Sequence, residues 1–154
     1  PRETWRANGA ELAMGTIPLN IPDLIESGAE EPWTGMPRGT TVGHVHLHVG
    51  DLDRAAGFYH AALGFTKMVW GYPGALFVAA GGYHHHLGLN TWAGPHASPP
   101  ETTDARLLEW EIILPGGEAK RAAQSLENAG FATTPTDDGW RAADPWGTVV
   151  RVVG

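Results

Sequence analysis

Six of the eight histidines lie in two short segments whose spacing can support metal or ligand binding. The first segment alternates histidine with aliphatic residues, and the second is a run of three: His44, His46 and His48, then His84, His85 and His86. In a strand, alternate side chains share a face, so the first three imidazoles face one way and the aliphatic side chains the other. Neutral imidazole is a common metal ligand, and imidazole exchanges a proton near neutral pH. The sequence therefore predicts a metal or ligand site on the face of a sheet.

The bulk composition narrows the classes of protein and partner to consider. The chain has 154 residues, 42% of them hydrophobic, and a formal net charge of −7 at pH 7, with no basic stripe that would favour nucleic acid. It has no cysteine, which excludes disulfides, thiolate metal sites and cysteine nucleophiles. No apolar run approaches the ~20 residues of a membrane span. We expect a cytoplasmic protein that binds neither nucleic acid nor membranes.

Periodicity predicts an irregular N-terminal arm or linker over residues 1–40, followed by a domain over residues 41–154. The domain is predicted to consist of two βαβββ modules, at 41–94 and 105–154, which form an internal repeat. The first module is predicted to have a strand at 43–49, a helix from the N-cap Asp51 to Gly64, and strands at 65–71, 75–80 and 84–92. The second is predicted to have a strand at 107–114, a helix at 117–129, and strands at 132–136, 139–143 and 148–153. The predicted fold class is α+β, with curved mixed sheets around a central cavity.

The faces of the predicted strands divide into an apolar set and a polar set. The apolar faces, such as Val45/Leu47/Val49 and Leu108/Trp110/Ile112/Leu114, would cover the helices. Period-two alternation then places the polar side chains together on the other faces: His44, His46, His48, His84, His86, Asn90, Glu109, Glu111 and Arg151. If the two sheets curl toward each other, these side chains line the cavity between them.

The motifs resemble those of a known family. His44-Val45-His46-Leu47 leading into Asp51-Leu52, then Phe58-Tyr59 and Leu63-Gly64-Phe65, resemble the vicinal oxygen chelate superfamily. That group includes glyoxalase I, bleomycin-resistance proteins and extradiol ring-cleavage dioxygenases. The segment from Gly74 to Gly94, with its Tyr83-His84-His85-His86 run, is similar to the C-terminal half of catechol 2,3-dioxygenase-like proteins.

The resemblance implies a metal held between two modules, with Fe(II) or Mn(II) as the expected ion. His44 matches a first-strand ligand, Glu109 stands where the dioxygenases carry a histidine, and Arg151 stands where they carry a glutamate. One interpretation is a metal site formed by His44, His86 and Glu109, in which Arg151 binds an anionic substrate. The other is a Glu109–Arg151 ion pair that balances the cavity charge with no metal at all.

Further roles are predicted for the remaining polar residues of the cavity. His48 and His86 are candidate acid–base catalysts. His46 and Asn90, together with Arg151, are candidate contacts for a small aromatic ligand. No separate cofactor-binding residue is predicted.

Three functions remain open from the sequence, so enzymatic activity of this chain is itself undecided. The first is a metal-dependent ring-cleavage dioxygenase, or the C-terminal half of one. The second is a metal-free protein that binds a planar aromatic molecule, as bleomycin-resistance proteins do. The third is a non-catalytic scaffold half, favoured by the start at Pro1 without methionine, which suggests a longer parent chain. A homodimer or a partner N-terminal half is expected.

Overall fold

The computed structural model describes Trp5, residues 7–28 and residues 32–154. Residues 1–4, 6 and 29–31 of the predicted arm lie outside the described residues. Within the arm, strands β1 (Ala7–Asn8) and β2 (Glu11–Leu12) pair antiparallel, and helix α1 spans Ile21–Gly28. The arm therefore has more regular structure than the sequence pattern predicts.

The first module has the predicted βαβββ order. Its elements are β3 (Val45–His48), α2 (Leu52–Ala56) continuing as a π-helical segment (Gly57–Ala62), β4 (Thr66–Val69), β5 (Ala75–Ala79) and β6 (Leu87–Asn90). The Asp51 carboxylate accepts a hydrogen bond from the Arg54 amide at 2.7 Å and caps α2. The sheet has strand order β3-β6-β5-β4, with β3 and β6 parallel.

The second module repeats this topology. Its elements are β7 (Glu109–Ile113), α3 (Glu118–Asn128), β8 (Thr133–Thr136), β9 (Gly139–Ala143) and β10 (Val149–Val153). The strand order is β7-β10-β9-β8, and β7 and β10 are again parallel. The predicted internal repeat and α+β class are thus confirmed, as two four-stranded mixed sheets that are not hydrogen-bonded to each other.

One hydrophobic core joins the two modules. Side chains from the inner face of each sheet pack with the helices in a single cluster, among them Leu47, Val49, Val150 and Val152. Across the seam, the rings of Phe58 and Phe131 meet edge to face with centroids 4.9 Å apart. The outer face of each sheet is left to the side chains with opposite parity.

Two local departures from the predicted pattern have physical reasons. Leu108 is 64% exposed, because β7 begins only at Glu109 and Leu108 belongs to the preceding linker. On the first sheet, Leu12 and Met14 of the arm pack against Val69 and Phe77 and cover part of its outer face. The arm thus supplies a small second core, which strand alternation in the modules alone does not reveal.

Among the described residues, every helix is too short or too polar to cross a lipid bilayer.

A buried hydrogen bond across the seam gives the first prediction. The Tyr59 hydroxyl donates to Asp144 Oδ2 at 2.8 Å, and burial beside that carboxylate raises the pKa of Tyr59, so the phenol keeps its proton. We expect Tyr59→Phe to lower the free energy of unfolding by about 1–3 kcal/mol, because the buried carboxylate oxygen loses its donor. Urea denaturation measures this change.

Tyr72→Phe is the matched control, since the Tyr72 hydroxyl bonds to Thr16 at an exposed position. Its effect should be within about 0.5 kcal/mol of zero. Equal losses in the two variants would contradict the assigned role of the Tyr59 bond.

Candidate functional site: an imidazole cluster on the first sheet

Three imidazoles form a compact group on the outer side of the first sheet. One ring nitrogen from each of His44, His84 and His85 lies within 4.8 Å of the others. His44 is exposed, His84 is half-buried and His85 is buried at 5% exposure. The group therefore runs from solvent into the protein, with ligand-type nitrogens at both ends.

Two sequence features bring these side chains together. His44 immediately precedes β3, whose alternation directs Leu47 to the core and His46 outward. The second set follows Gly81 and Gly82, which both adopt left-handed φ angles, 60° and 67°, and turn the chain between β5 and β6. After this turn the ring centroid of His85 lies 4.6 Å from that of His44.

His85 occupies the innermost position of the group. Its ring packs on Phe77 with centroids 5.0 Å apart, and its Nε2 lies 3.3 Å from Nε2 of His46. The other nitrogen, Nδ1, is buried and has no hydrogen-bond partner among the described residues, and the same is true of Nδ1 of His84. Buried polar atoms are rarely left unsatisfied, so two such nitrogens beside a third imidazole point to a missing ligand.

The surroundings of His46, His84 and His85 favour the neutral form of these three rings. Burial, reinforced by the positive charge that His44 and the other neighbouring imidazoles would carry, lowers the pKa of His85 to about 4. Burial and the proximity of His44 also lower the pKa of His46 and of His84. Neutral imidazole is the form that binds a metal ion.

The residues present therefore fit a transition-metal ion. Imidazole nitrogens suit zinc, copper, iron and nickel, and protein metal sites commonly have three such ligands with further positions open. His44, His84 and His85 would hold the ion here. The exposure of His44 leaves one side of the group accessible to a small ligand.

The structure gives His86 a different setting from the predicted one. Alternation through a strand at 84–92 groups His86 with His84 and separates His85, but β6 begins only at Leu87, so that face prediction is wrong. His86 Nδ1 accepts a hydrogen bond from the Ala80 amide at 3.1 Å, and its ring lies 6.3 Å from that of the core residue Phe65. The predicted metal and acid–base roles of His86 remain predictions, and the compact group instead contains His84 and His85.

The other polar residues predicted on the first sheet occupy separate places. His46 contacts the group directly, with its ring 5.0 Å from that of His44. His48 is exposed at the end of β3, opposite Asn90 in the parallel register. Asn90 is buried, and its side-chain oxygen accepts a hydrogen bond from the Trp92 amide at 3.2 Å. Their predicted acid–base and substrate roles remain predictions.

Glu109 and Arg151 lie in an ion-pair network on the outer face of the second sheet. Arg151 Nε lies 3.8 Å from Glu109, its Nη1 lies 3.0 Å from Glu111, and Arg141 also pairs with Glu109. The third acidic partner of Arg151 is Asp138, whose carboxylate accepts a hydrogen bond from Arg151 Nη2 at 2.6 Å. Among the described contacts, none joins Glu109 to His44, His84 or His85. The geometry is that of the predicted ion pair, while a ligand role for Glu109 remains a prediction.

No metal-ligand role was predicted for His84 or His85 from the sequence. A usable signal was present in Gly81-Gly82, because two glycines in succession favour a turn with left-handed backbone angles. A turn at this point breaks the alternation before β6 begins. Consecutive histidines can then reach the same side.

The lowered pKa of His85 predicts how the stability of the metal-free protein depends on pH. Between its ordinary value of 6.5 and about 4, the unfolded chain binds a proton that the folded chain does not. The contribution of His85 to the free energy of unfolding is therefore complete above pH 6.5. It is lost as the pH falls below this value, by at most about 1.4 kcal/mol per pH unit. We expect His85→Gln to flatten the fall in unfolding free energy between pH 6.5 and 5. Identical slopes for wild type and variant in urea titrations would show that His85 is not held neutral.

A family model and a curated relative match this chain. The model described as "Glyoxalase/Bleomycin resistance protein/Dioxygenase superfamily" matches residues 41–152. The chain is 42% identical over 149 residues to a protein of Bacillus subtilis (strain 168) called catechol-2,3-dioxygenase. That alignment covers 94% of this chain but 52% of the relative, so the chain spans about half the length of the curated protein.

Solved structures show the same fold at low sequence identity. A glyoxalase/dioxygenase from Nostoc punctiforme has a TM-score of 0.59 at 17% identity, covering 79% of this chain and 97% of its own. A fosfomycin resistance protein from Mesorhizobium loti has a TM-score of 0.54 at 12% identity, covering 77% and 94%. The repeated βαβββ topology and the family match over residues 41–152 together show that the chain belongs to the Glyoxalase/Bleomycin resistance protein/Dioxygenase superfamily.

Proposed function

We propose that this chain supplies imidazole ligands to the metal site of an extradiol-type dioxygenase that cleaves a catechol-like aromatic ring. The observation that carries the proposal is the group of His44, His84 and His85, with two buried Nδ1 atoms that have no hydrogen-bond partner in the part of the chain that the structure describes. The relative named catechol-2,3-dioxygenase supports this choice of chemistry within the superfamily. A bound Fe(II) or Mn(II) ion would supply coordination positions for the two catechol oxygens and for dioxygen.

The proposed role of each side chain follows from how deeply it is buried. His84 and His85 would hold the ion from the protein side, and His44 from the solvent side. Phe77 and Tyr83 contact the rings of the group and exclude water from its inner part. His48, exposed on the same strand face as His46, is our candidate for exchanging protons with the substrate hydroxyls.

We propose that a carboxylate from outside this chain completes the site. Non-haem iron oxygenases commonly use two histidines and one carboxylate, and Glu109 is engaged by two arginines. The chain spans about half of its relative, which leaves room in such a protein for a second pair of modules. A partner half, or a second copy of this chain, would then contribute the acidic ligand.

Metal titration tests the proposal. We expect purified protein to retain or take up about one equivalent of Fe(II) or Mn(II). The variant His85→Ala should lose most of this metal, because it lacks one of the three imidazole ligands. His48→Ala is the matched control, since His48 lies on the same sheet face outside the group. Elemental analysis that finds less than about a tenth of an equivalent after reconstitution would contradict a metal site in this chain.

Activity is a separate test of the reaction class. The metal-loaded protein, with dioxygen and catechol, should consume one O2 for each ring opened, as followed by an oxygen electrode and by the absorbance of the product. Loss of this activity in His44→Ala, with metal bound in the wild type, would support the assignment. Metal binding with no oxygen uptake, both alone and with a partner half, would contradict the reaction while leaving the metal site.

The ion pairs on the second sheet favour one alternative, metal-free binding of a planar aromatic molecule. Glu109 and Glu111 are paired with Arg141 and Arg151, so guanidinium groups already lie where a metal cation would meet these carboxylates. Quenching of tryptophan fluorescence by catechols in the presence of a chelator would favour this function. Quenching that appears only with metal would favour the dioxygenase.

A further inference from the structure

A glycine lies between two aromatic rings on the outer face of the first sheet. In the strand register, Gly88 of β6 pairs with His46 of β3 on one side and with Phe77 of β5 on the other. Residues directly opposite each other in neighbouring strands present their side chains to the same face. The row is therefore ring, glycine, ring, with a shallow depression at its centre.

The His46 ring occupies this depression. A Cβ atom built on Gly88 would lie 2.6 Å from Cε1 and 2.7 Å from Nδ1 of His46, closer than carbon and nitrogen atoms can approach. The ring thus lies close against the backbone of β6, in a position where only glycine leaves space for it. This contact restrains an imidazole that is otherwise exposed.

His85 packs above the same row. Its ring centroid is 5.4 Å from that of His46 and 5.0 Å from that of Phe77. The polar contact is between the two Nε2 atoms, at 3.3 Å. Because Nε2 of His85 is engaged in this way, Nδ1 is the nitrogen left buried with no hydrogen-bond partner in residues 7–28 and 32–154.

We propose that His46, seated on Gly88, is a positioning residue that fixes the ring of His85 and selects Nδ1 as its coordinating nitrogen. This inference rests on the proposed metal site. Histidine ligands commonly donate their second ring N–H to an outer partner, which sets the tautomer and the ring orientation. Here the partner is a second imidazole in place of a carboxylate or a carbonyl.

This arrangement determines which nitrogen carries the proton in the ring of His85 and in the ring of His46. With the Nδ1 lone pair of His85 reserved for the metal, its proton lies on Nε2 and is donated to His46. Nε2 of His46 must then be unprotonated, so the proton of that ring lies on Nδ1. The pair is therefore expected to hold opposite tautomers, His85 as Nε2–H and His46 as Nδ1–H.

Nitrogen-15 NMR of the metal-free protein above pH 7 tests this assignment directly. Two-bond couplings from the ring protons distinguish the two tautomers. We expect Nε2–H for His85 in the wild type, and a mixture of tautomers in His46→Phe. A proton on Nδ1 of His85 in the wild type would overturn the proposal.

The affinity for Co(II), added alone as a spectroscopic probe, is the second measurement. His46→Phe should weaken binding by roughly 10- to 100-fold, because the second ring nitrogen of the ligand loses its acceptor. His46→Gln, whose side-chain carbonyl can accept the same hydrogen, should recover most of this loss. His60→Phe, at an exposed histidine of the π-helical segment, is the control and should bind as the wild type does, while unchanged affinity in His46→Phe would overturn the proposal.

Gly88→Ala tests the seat of the ring independently of the imidazole. We expect a loss of Co(II) affinity similar to that of His46→Phe, with circular dichroism showing that the sheet is retained. In an His46→Ala background the added methyl group at position 88 should have little further effect, because no ring is left to displace. Full additivity of the two substitutions would contradict the proposed contact.

The outcomes separate this inference from the proposed function. If the wild type binds no metal, the metal site fails, and the tautomer measurement still decides whether His46 orients His85. If the wild type binds metal and His46→Phe binds it equally well, the site stands and the positioning role fails.

Discussion

The alternation of four residues in β3 is the constraint on which the site depends. Leu47 and, just beyond the strand, Val49 enter the shared core, so the intervening imidazoles must face outward. A slip of one residue in the pairing of β3 with β6 would move the aliphatic side chains to solvent and the imidazoles into the core. The free energy of burying the aliphatic face thus holds the histidines in register. No polar contact of the imidazoles has to supply that registration.

The outer faces of the two sheets differ in how their ionisable side chains are arranged. On the first sheet, burial and the neighbouring imidazoles lower the pKa of His85 to about 4, which favours the neutral form of this ring. On the second sheet, the charges remain, and the carboxylates of Glu109, Glu111 and Asp138 form ion pairs with Arg141 and Arg151. Equivalent strands of one repeat have therefore diverged into a face suited to a cation and a face that already contains its cations.

The regular elements were accessible to sequence reasoning because their causes are local. Alternation in β3, the N-cap Asp51 and the helix predicted at 117–129 depend on neighbours within a few residues, and the structure confirms each. The grouping of His84 with His85 depends on the turn at 81–82, where the strand period does not apply. The seating of His46 on Gly88 depends on the register between strands distant in sequence, which no local pattern specifies.

The packing of both modules into one core makes them a single cooperative unit. Opening either module would expose the Phe58–Phe131 contact and the apolar faces of both sheets, so neither can unfold without cost to the other. An ion captured by the imidazoles of the first sheet would then stabilise the second sheet by mass action, although it contacts nothing there. In the same way, any substitution that loosens α3 would raise the population of open molecules from which the ion escapes. Retention of the ion is in this sense a property of the whole repeat.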